Sequence, residues 1–369
     1  MDCMLRERSV KRMSRLLPVL VGLLLTGCAT MGPGTISRDR FDYAAAISES
    51  WKNQMLLNLV KARYLDPPVF LDISSAINSY SVESAGNLTA QIQHPLAGNA
   101  DTFGFGASGR YTDRPTITYN PLIGDKFSKS LMTPIPPGAL LSLMQAGWSA
   151  QLLLRCCVNS INGLQNYSRH GMTGRPGRAA EPRFIRVLEA VGRIQQAGGM
   201  GVRVERDKEG SVTMLFFRSE RTVPLAADIG AAAHLLGVDV NATEFRVTYG
   251  SLPKDDHEVA ILTRSMLEIL LDMASYIDVP AADLAEHRAT PGFAQISGGS
   301  NGLEPLVRVR SAAERPDDAF VAIRYRDQWF WIDDRDLASK GVFSFLMFLF
   351  TLTETGGAQV SPLLTVPAG

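Results

Sequence analysis

The 369-residue sequence has few cysteines and no excess of either charge, with 37 Lys and Arg residues balanced by 37 Asp and Glu residues. Four cysteines are too few for a disulfide-stabilised scaffold of this length. Zero net charge argues against a nucleic-acid-binding protein that depends on bulk positive charge. Hydrophobic residues make up 46% and charged residues 20% of the chain, which excludes a disordered or collagen-like protein. At about 150 residues per domain, the length predicts two domains.

Histidine is also scarce, and the five histidines show no zinc-ligand spacing. Only His257 lies among carboxylates, in the run from Asp255 to Glu258. We interpret this run as the start of a long helix over 256–277, where acidic side chains offset the helix dipole, with a metal or acid–base site as the alternative. Because capping accounts for these acids, we predict no metal ion. The histidines are His94, His170, His234, His257 and His287.

Two glycine-containing stretches match known motifs by letter only. Residues 104–109 read GxGxxG, but no helix start follows them to bring N–H groups to a pyrophosphate. Residues 298–302 read GxSxG, but no histidine follows Ser300 to complete a catalytic triad. The sequence therefore predicts no catalytic residues, no enzymatic activity and no bound cofactor.

The chain lacks an apolar run long enough to span a membrane as a helix, but a short one lies near its start. Leu16–Leu25 is an apolar segment of about ten residues, whereas a spanning helix needs about 20. Small residues follow it, which completes the pattern of a cleaved secretory signal over residues 1–27. Five basic residues precede it: Arg6, Arg8, Lys11, Arg12 and Arg15.

The residues at the end of that segment, Leu25-Thr26-Gly27-Cys28, resemble the lipobox of bacterial lipoproteins. The resemblance implies cleavage between Gly27 and Cys28, a diacylglycerol on the Cys28 thiol and an acyl chain on the new amino terminus. Several acyl chains anchor a protein firmly, because each buried methylene contributes about 0.8 kcal/mol. In such lipoproteins Asp after the cysteine favours the inner membrane, so Ala29 implies an outer-membrane lipoprotein of the cell envelope that faces the periplasm.

Beyond the anchor, the pattern of periods predicts an α+β protein with two subdomains. The first contains a helix over 41–64, an antiparallel hairpin region and a helical pair over 139–146 and 149–165. A stretch rich in Gly, Pro and Arg then predicts a linker. The second subdomain mixes helices and hairpins, ending with a hairpin over 320–332 and a core helix. The predicted segments are the signal peptide (1–27), the lipidated tether (28–40), the first subdomain (41–167), the linker (168–182), the second subdomain (183–355) and a tail (356–369).

From Val69 to Pro121 the hydrophobic period changes from about 3.6 to two. Four candidate strands occur at hairpin spacing, with Gly, Asn, Asp and Pro between them. Alternation over about ten residues is also what the wall of a membrane barrel requires. Two interpretations stay open: hairpins packed on a helix, or strands contributed to a barrel shared between subunits. The alternating stretches are 69–74, 87–92, 103–108 and 116–119.

A chemical-looking cluster lies before the last predicted helix. Asp333 and Asp336 are spaced to share one helix face and hold a cation or a proton. Trp329 and Trp331 just before them are residues that stack a sugar or a base. We treat these four residues as a speculative ligand or ion site, and favour helix capping, an Arg335 ion pair and aromatic packing as the simpler interpretation.

Three functions fit these patterns. The favoured one is a non-catalytic scaffold or assembly component of an outer-membrane complex. The second is an oligomeric pore or export subunit that contributes the strands of residues 69–121 to a shared barrel. The third is an envelope ligand-binding protein or hydrolase that uses the Asp333 cluster. All three imply the membrane as a partner through the lipid anchor; the first two add envelope proteins or further copies of this chain, and none involves nucleic acid.

Overall fold

The computed structural model describes residues 36–77, 80–91, 102–113, 116–168, 177–207, 210–218, 222–293 and 304–354. Helices alternate with antiparallel and mixed sheets, which confirms the predicted α+β class. The helices are α1 (Ile36–Arg63), α2 (Asp125–Met132), α3 (Pro137–Gln145), α4 (Ala150–Cys157), α5 (Pro182–Gln196), α6 (Val223–Leu236), α7 (Met266–Ala274), α8 (Ala281–Ala285) and α9 (Leu337–Glu354). The strands are β1 (Leu71–Ile77), β2 (Tyr80–Gln91), β3 (Thr102–Asp113), β4 (Thr116–Pro121), β5 (Val158–Ile161), β6 (Leu164–Gln165), β7 (Met200–Asp207), β8 (Gly210–Phe217), β9 (Glu244–Tyr249), β10 (Glu258–Thr263), β11 (Arg310–Ala312), β12 (Ala319–Tyr325) and β13 (Gln328–Asp333).

A six-stranded mixed sheet forms the centre of the body, in the order β6-β5-β10-β9-β8-β7. Its one parallel pair is β9 with β10, and the other neighbours are antiparallel. Strand β10 is buried along nearly its whole length, as expected for an apolar strand covered on both faces. Helix α5 packs on α4 and α6, while α3 contacts β7, β9 and β10.

Two predicted helices are wrong in the same way. The predicted helix over 149–165 ends at Cys157, and the chain continues as the short strands β5 and β6. The predicted helix over 256–277 is two elements, β10 and α7, separated by a capping box in which Ser265 and Glu268 exchange hydrogen bonds. A short apolar run that is buried on all sides shows neither the two-residue period of a strand nor the 3.6-residue period of a helix. Periodicity therefore cannot assign its secondary structure.

The two predicted subdomains share one sheet. Strands β5 and β6 precede residues 168–182, and β5 pairs both with β6 and with β10, which follows that segment. Ser168 and Arg178 exchange backbone hydrogen bonds of 2.9 and 2.8 Å across that segment. Buried apolar side chains from both sides of it form one cluster, so the described parts of both predicted subdomains share a core.

A second, three-stranded antiparallel sheet has the order β11-β13-β12 and lies beside α1 and α9. Among the helices that are described, none combines the length and apolar composition needed to cross a bilayer. The apolar run that was predicted to form a core helix lies in α9, and much of it is buried. Its buried apolar residues are Val342, Phe343, Phe345, Leu346, Leu349 and Phe350.

A buried arginine joins several elements of the body. Arg264 donates hydrogen bonds from Nε to Oδ1 of Asn159 at 3.0 Å and from Nη1 to the carbonyl oxygen of Cys156 at 3.0 Å. It also forms a buried ion pair with Asp272 of α7. Cys156 and Cys157 are both free and buried, and a hydrogen bond between the two thiols raises the pKa of Cys157.

Candidate functional site

Two antiparallel strand pairs follow one another along the chain, β1 with β4 and β2 with β3. The first pair extends from Leu71 opposite Pro121 to Ile77 opposite Thr116, and the second from Tyr80 opposite Asp113 to Gln91 opposite Thr102. The register has one irregularity, between Ile73 and Ser75. At about 3.3 Å per residue, the eleven steps from Tyr80 to Gln91 span about 36 Å. We call the two strand pairs, residues 71–77, 80–91, 102–113 and 116–121, the ribbon; its four strands fall in the predicted region.

The register divides the outer part of the ribbon, β2 with β3, into two different faces. Even-numbered residues of β2 lie opposite odd-numbered residues of β3, and paired residues share a face. The first face, which we call the apolar face, carries Tyr80, Val82, Ser84, Gly86, Leu88 and Ala90 on β2 and Phe103, Phe105, Ala107, Gly109, Tyr111 and Asp113 on β3. The polar face carries Ser81, Glu83, Ala85, Asn87, Thr89 and Gln91 on β2 and Thr102, Gly104, Gly106, Ser108, Arg110 and Thr112 on β3.

Charge is confined to the inner end of β2 and β3. The apolar face has one charged position, Asp113, at the end nearest the body, and the polar face has Glu83 directly opposite Arg110. Further out, neither face carries a charged residue. Such a distribution is unusual for an exposed strand pair in water, which ordinarily uses charge to prevent edge-to-edge association.

Strands β2 and β3 receive little packing from the body. In the described chain, neither β2 nor β3 has a second neighbouring strand, and their contacts are chiefly with each other. The side chains of Glu83, Asn87, Ser108 and Arg110 are exposed. Two open edges of unpaired N–H and C=O groups therefore run along its outer part.

Helix α1 holds the base of the ribbon through two amides. Asn58 donates from Nδ2 to the carbonyl of Val69 at 2.8 Å and accepts from the N–H of Val69 at 2.9 Å. One turn earlier, Gln54 makes the same pair of bonds with the backbone of Leu71. This role was not predicted from the sequence, although two amides four residues apart on a helix lie on one face of it.

A cavity of about 590 Å³ lies between α1 and the base of the ribbon. Ile47 and Trp51 line it from the helix, and Ile73 and Tyr119 from β1 and β4. From Asn58 back to Ile47, α1 therefore runs beside the start of β1 and the end of β4.

The acids of the predicted ligand or ion site have partners within the chain. Asp336 accepts hydrogen bonds from the N–H of Ser339 at 3.0 Å and from its hydroxyl at 2.8 Å, and these bonds lower the pKa of the Asp336 carboxyl. Asp333 accepts from the N–H of Arg335 at 3.0 Å and lies 3.4 Å from Nη1 of Arg310. The Arg335 guanidinium itself pairs with Asp318. This is the geometry of a helix cap and a turn.

The two tryptophans of that predicted site lie together on the outward face of β13. Phe330 between them is fully buried, whereas Trp329 and Trp331 are half-buried. The register places Arg310 beside Trp331 and Arg324 beside Trp329. Among the described residues, the two tryptophans therefore lie near arginines, whereas the Asp336 carboxylate caps the first turn of α9.

The histidine cluster lies on the surface before a strand, so its interpretation as a helix start is wrong. His257 directly precedes β10, and its Nδ1 lies 2.7 Å from Oδ1 of Asp256. That hydrogen bond raises the pKa of His257. Asp255, Asp256 and His257 are the one group of potential metal ligands found among the described residues, and all three are exposed.

The remaining predicted features are partly outside the described ranges. The GxGxxG stretch lies inside β3, so it lacks the strand–loop–helix context of a nucleotide site. Gly27, Cys28 and the GxSxG stretch at 298–302 lie outside the described residues. No family model, no curated protein and no solved structure matches this chain.

Proposed function

We propose that this chain is a lipid-anchored subunit of an outer-membrane oligomer, in which each copy contributes its ribbon to a shared, pore-forming wall. The observation that carries the proposal is the register of β2 with β3, which gives the ribbon one apolar and one polar face. Membrane-spanning strands have the same division, with apolar residues towards lipid and polar residues towards the lumen.

The length of the apolar face fits a bilayer. Its charge-free positions extend over nine residues of each strand, from Val82 to Ala90 and from Phe103 to Tyr111. A membrane strand needs about 9–11 residues. Nine residues measure about 30 Å, which at a tilt of about 40° gives about 23 Å of height, close to the ~25 Å apolar band of outer-membrane proteins. Tyrosines near one end and phenylalanines near the other match the aromatic girdles of such a band.

The open edges of the ribbon require an oligomer. Within hydrocarbon each unsatisfied backbone N–H or C=O costs several kcal/mol, so an isolated hairpin cannot stay there. Pairing the outer edge of β2 in one copy with the outer edge of β3 in the next satisfies both edges. Such head-to-tail contacts close into a ring when the rotation between copies allows it.

The polar face would then line the lumen. Its positions are small or uncharged apart from Glu83 and Arg110, which lie opposite each other and cancel in charge. Glycine and serine occur at several of these positions, which leaves space within the wall. The lipobox at Leu25–Cys28 supports the same location, because it implies an acylated amino terminus at the outer membrane.

The test is to purify the full lipidated chain in mild detergent and reconstitute it into planar bilayers. We expect large oligomers that dissociate only on heating in SDS, and discrete conductance steps. The matched control replaces residues 78–115 with Asn-Gly, a two-residue turn that joins the paired residues Ile77 and Thr116. This shortened variant keeps the body and is expected to be monomeric and non-conducting.

The two other functions make different predictions in the same experiment. A scaffold would crosslink to other envelope proteins equally well with the full and the shortened ribbon. A ligand-binding protein or hydrolase would keep its activity in the shortened variant and lose it on substitution of Trp329 or Asp333. A full-length chain that is monomeric and non-conducting at every concentration would contradict the shared-wall proposal.

A further inference from the structure

The outward face of the three-stranded sheet combines aromatic, basic and small residues in a regular order. Each tryptophan of β13 lies between one arginine and one alanine on the neighbouring strands. Read from β11 through β13 to β12, the two rows are Arg310-Trp331-Ala322 and Ala312-Trp329-Arg324. Because directly paired residues lie on the same face of a sheet, each half-buried indole has a guanidinium on one side and only a methyl group on the other. We call these six residues the indole platform.

A third arginine lies over the platform. The guanidinium carbon of Arg315 is 5.3 Å from the ring centroid of Trp329. Within the part of the chain that the structure describes, no carboxylate forms an ion pair with Arg315. The platform arginines each pair with one carboxylate: Nη1 of Arg310 lies 3.4 Å from Oδ2 of Asp333, and Nη2 of Arg324 lies 3.3 Å from Oδ1 of Asp327. One of the three guanidinium groups is therefore not neutralised by a carboxylate in contact with it.

The two paired arginines can exchange their partners for a ligand. Arg324 and Asp327 are both exposed, and an ion pair between exposed side chains contributes at most about 1 kcal/mol. The Arg310 side chain is 52% exposed beside Asp333. A guanidinium binds an incoming carboxylate through two parallel N–H···O bonds, so a ligand carboxylate replaces such a surface pair at little cost.

These groups together suit a ring that carries a negative charge. An indole offers flat apolar area to the CH groups of a sugar ring, and the alanine beside it leaves space for that ring. Two residues along a strand measure about 6.6 Å, so both indoles face one short stretch of an extended chain. A nucleic acid fits less well, because its closely spaced phosphates require a continuous basic surface, whereas Asp327 and Asp333 interrupt this one.

We propose that the indole platform binds an anionic polysaccharide of the uronic-acid type. Its sugar rings pack on Trp329 and Trp331, and its carboxylates pair with Arg315 and with the two arginines of the platform. No residue of the ribbon takes part in these contacts, so this inference goes beyond the proposed function and does not rest on it. It gives the body a ligand of its own.

The test is isothermal titration calorimetry of the full chain in mild detergent with three matched hexamers. Hexagalacturonate carries both rings and charge, maltohexaose carries rings alone, and hexaglutamate carries charge alone. We expect hexagalacturonate to bind at least about tenfold more tightly than either of the other two, because each control lacks one of the two kinds of contact.

Single substitutions assign the contacts. Arg310→Gln and Trp331→Ala should each weaken the binding of hexagalacturonate about tenfold. Arg203→Gln is the matched control, since Arg203 is 50% exposed and its guanidinium carbon lies 5.9 Å from the Phe216 ring centroid, away from the platform on β7; it should bind as the parent does. Arg310 is exposed, so Arg310→Gln keeps the proposal falsifiable if Trp331→Ala does not fold.

Four results would overturn the inference: no binding of hexagalacturonate to the parent, equal binding of hexaglutamate, equal binding of maltohexaose, or equal weakening by Arg203→Gln and Arg310→Gln. The variant in which Asn-Gly replaces residues 78–115 should bind hexagalacturonate with unchanged affinity. A full chain that is monomeric and non-conducting but binds the hexamer would contradict the shared wall and support the platform. A conducting chain that does not bind it would do the reverse.

Discussion

The body and the ribbon of this protein both contain β-strands, but the strands of the two regions differ in how far other elements cover them. In the body, strand β10 is buried on both faces and Arg264 is tied into a dense polar network. In the outer ribbon, β2 and β3 pair over 12 residues with no third strand beside them in the described part of the chain, and the side chains of Glu83 and Arg110 are exposed. A two-stranded hairpin alone is marginally stable in water. The outer ribbon therefore lacks the two-sided strand burial that stabilises the body, and membrane insertion is our proposal for what stabilises it instead.

The largest effect is expected inside the body. Arg264→Met removes the buried partner of Asp272 and leaves an uncompensated carboxylate, which should lower the free energy of unfolding by about 3–5 kcal/mol. Urea unfolding of the shortened variant, followed by circular dichroism, measures it without interference from oligomers.

The control for that substitution replaces both partners. Arg264→Met with Asp272→Leu removes the two charges together, so most of the loss should be recovered. Equal destabilisation by the single and the double variant would mean that the backbone carbonyls bound by Arg264, and not its charge, stabilise this part of the body.

The next effect separates the two faces of the ribbon. Ala107 lies at the centre of the apolar face opposite Gly86, and the adjacent Ser108 lies on the polar face. Ala107→Lys would put a charge near the bilayer midplane at a cost of about 2–4 kcal/mol per subunit. We expect the SDS-resistant oligomer to be lost in this variant and kept in Ser108→Lys, as measured by gel mobility with and without heating. Equal behaviour of the two variants would contradict the division into faces.

A smaller effect is expected at the start of α9. Asp336→Ala removes the cap bonds to Ser339 and should cost about 1 kcal/mol at pH 7. Because these bonds lower the pKa of the Asp336 carboxyl, its contribution is present above the ordinary carboxyl range near pH 4 and is lost as the pH falls below it. The gap in unfolding free energy between parent and variant should therefore narrow at acid pH.

The matched control is the neighbouring acid. Asp334→Ala removes only an exposed ion pair with Lys340 and should change stability by less than about 0.5 kcal/mol. If Asp333→Ala or Asp336→Ala abolished a cellular phenotype without changing stability, these acids would act on a ligand, and capping would be the wrong account.

The smallest effect on the stability of the body is expected from deleting the outer part of the ribbon. Replacing residues 78–115 with Asn-Gly should leave the melting temperature of the body unchanged within about 2 °C, because the outer ribbon contributes no buried contacts to the core that is described. Differential scanning calorimetry of the monomeric variant and the parent in the same detergent measures this. A large fall would show that ribbon and body form one folding unit.

The strands of the ribbon could be predicted from the sequence, but the pairing of their residues could not. Alternation was visible in residues 87–92 and 103–108. That Leu88 lies opposite Phe105, so that two weak apolar stripes add up on one face, depends on a non-local register. Sequence periods cannot supply it, because a shift of one residue would place the stripes on opposite faces.

In the body, prediction succeeded where a period was long and failed where apolar runs were short. The last helix and the hairpin over 320–332 are confirmed, since a strong turn and a following cap bound them. Residues 158–161 and 258–263 were assigned to helices because strands that are buried inside a sheet lack alternation. The sharing of one sheet across residues 168–182 was equally hidden, since β5 finds its partner β10 about a hundred residues later.

The most direct test of the account is an environment scan along β2 in reconstituted oligomers. Single cysteines at eight consecutive positions from Val82 to Thr89 would carry a polarity-sensitive fluorophore, quenched either by nitroxide-labelled lipid or by aqueous iodide. We predict that the even-numbered positions are quenched by lipid and the odd-numbered positions by iodide, following the two faces of the register. Quenching of all eight positions by iodide alone would contradict the claim that the ribbon lies in the membrane.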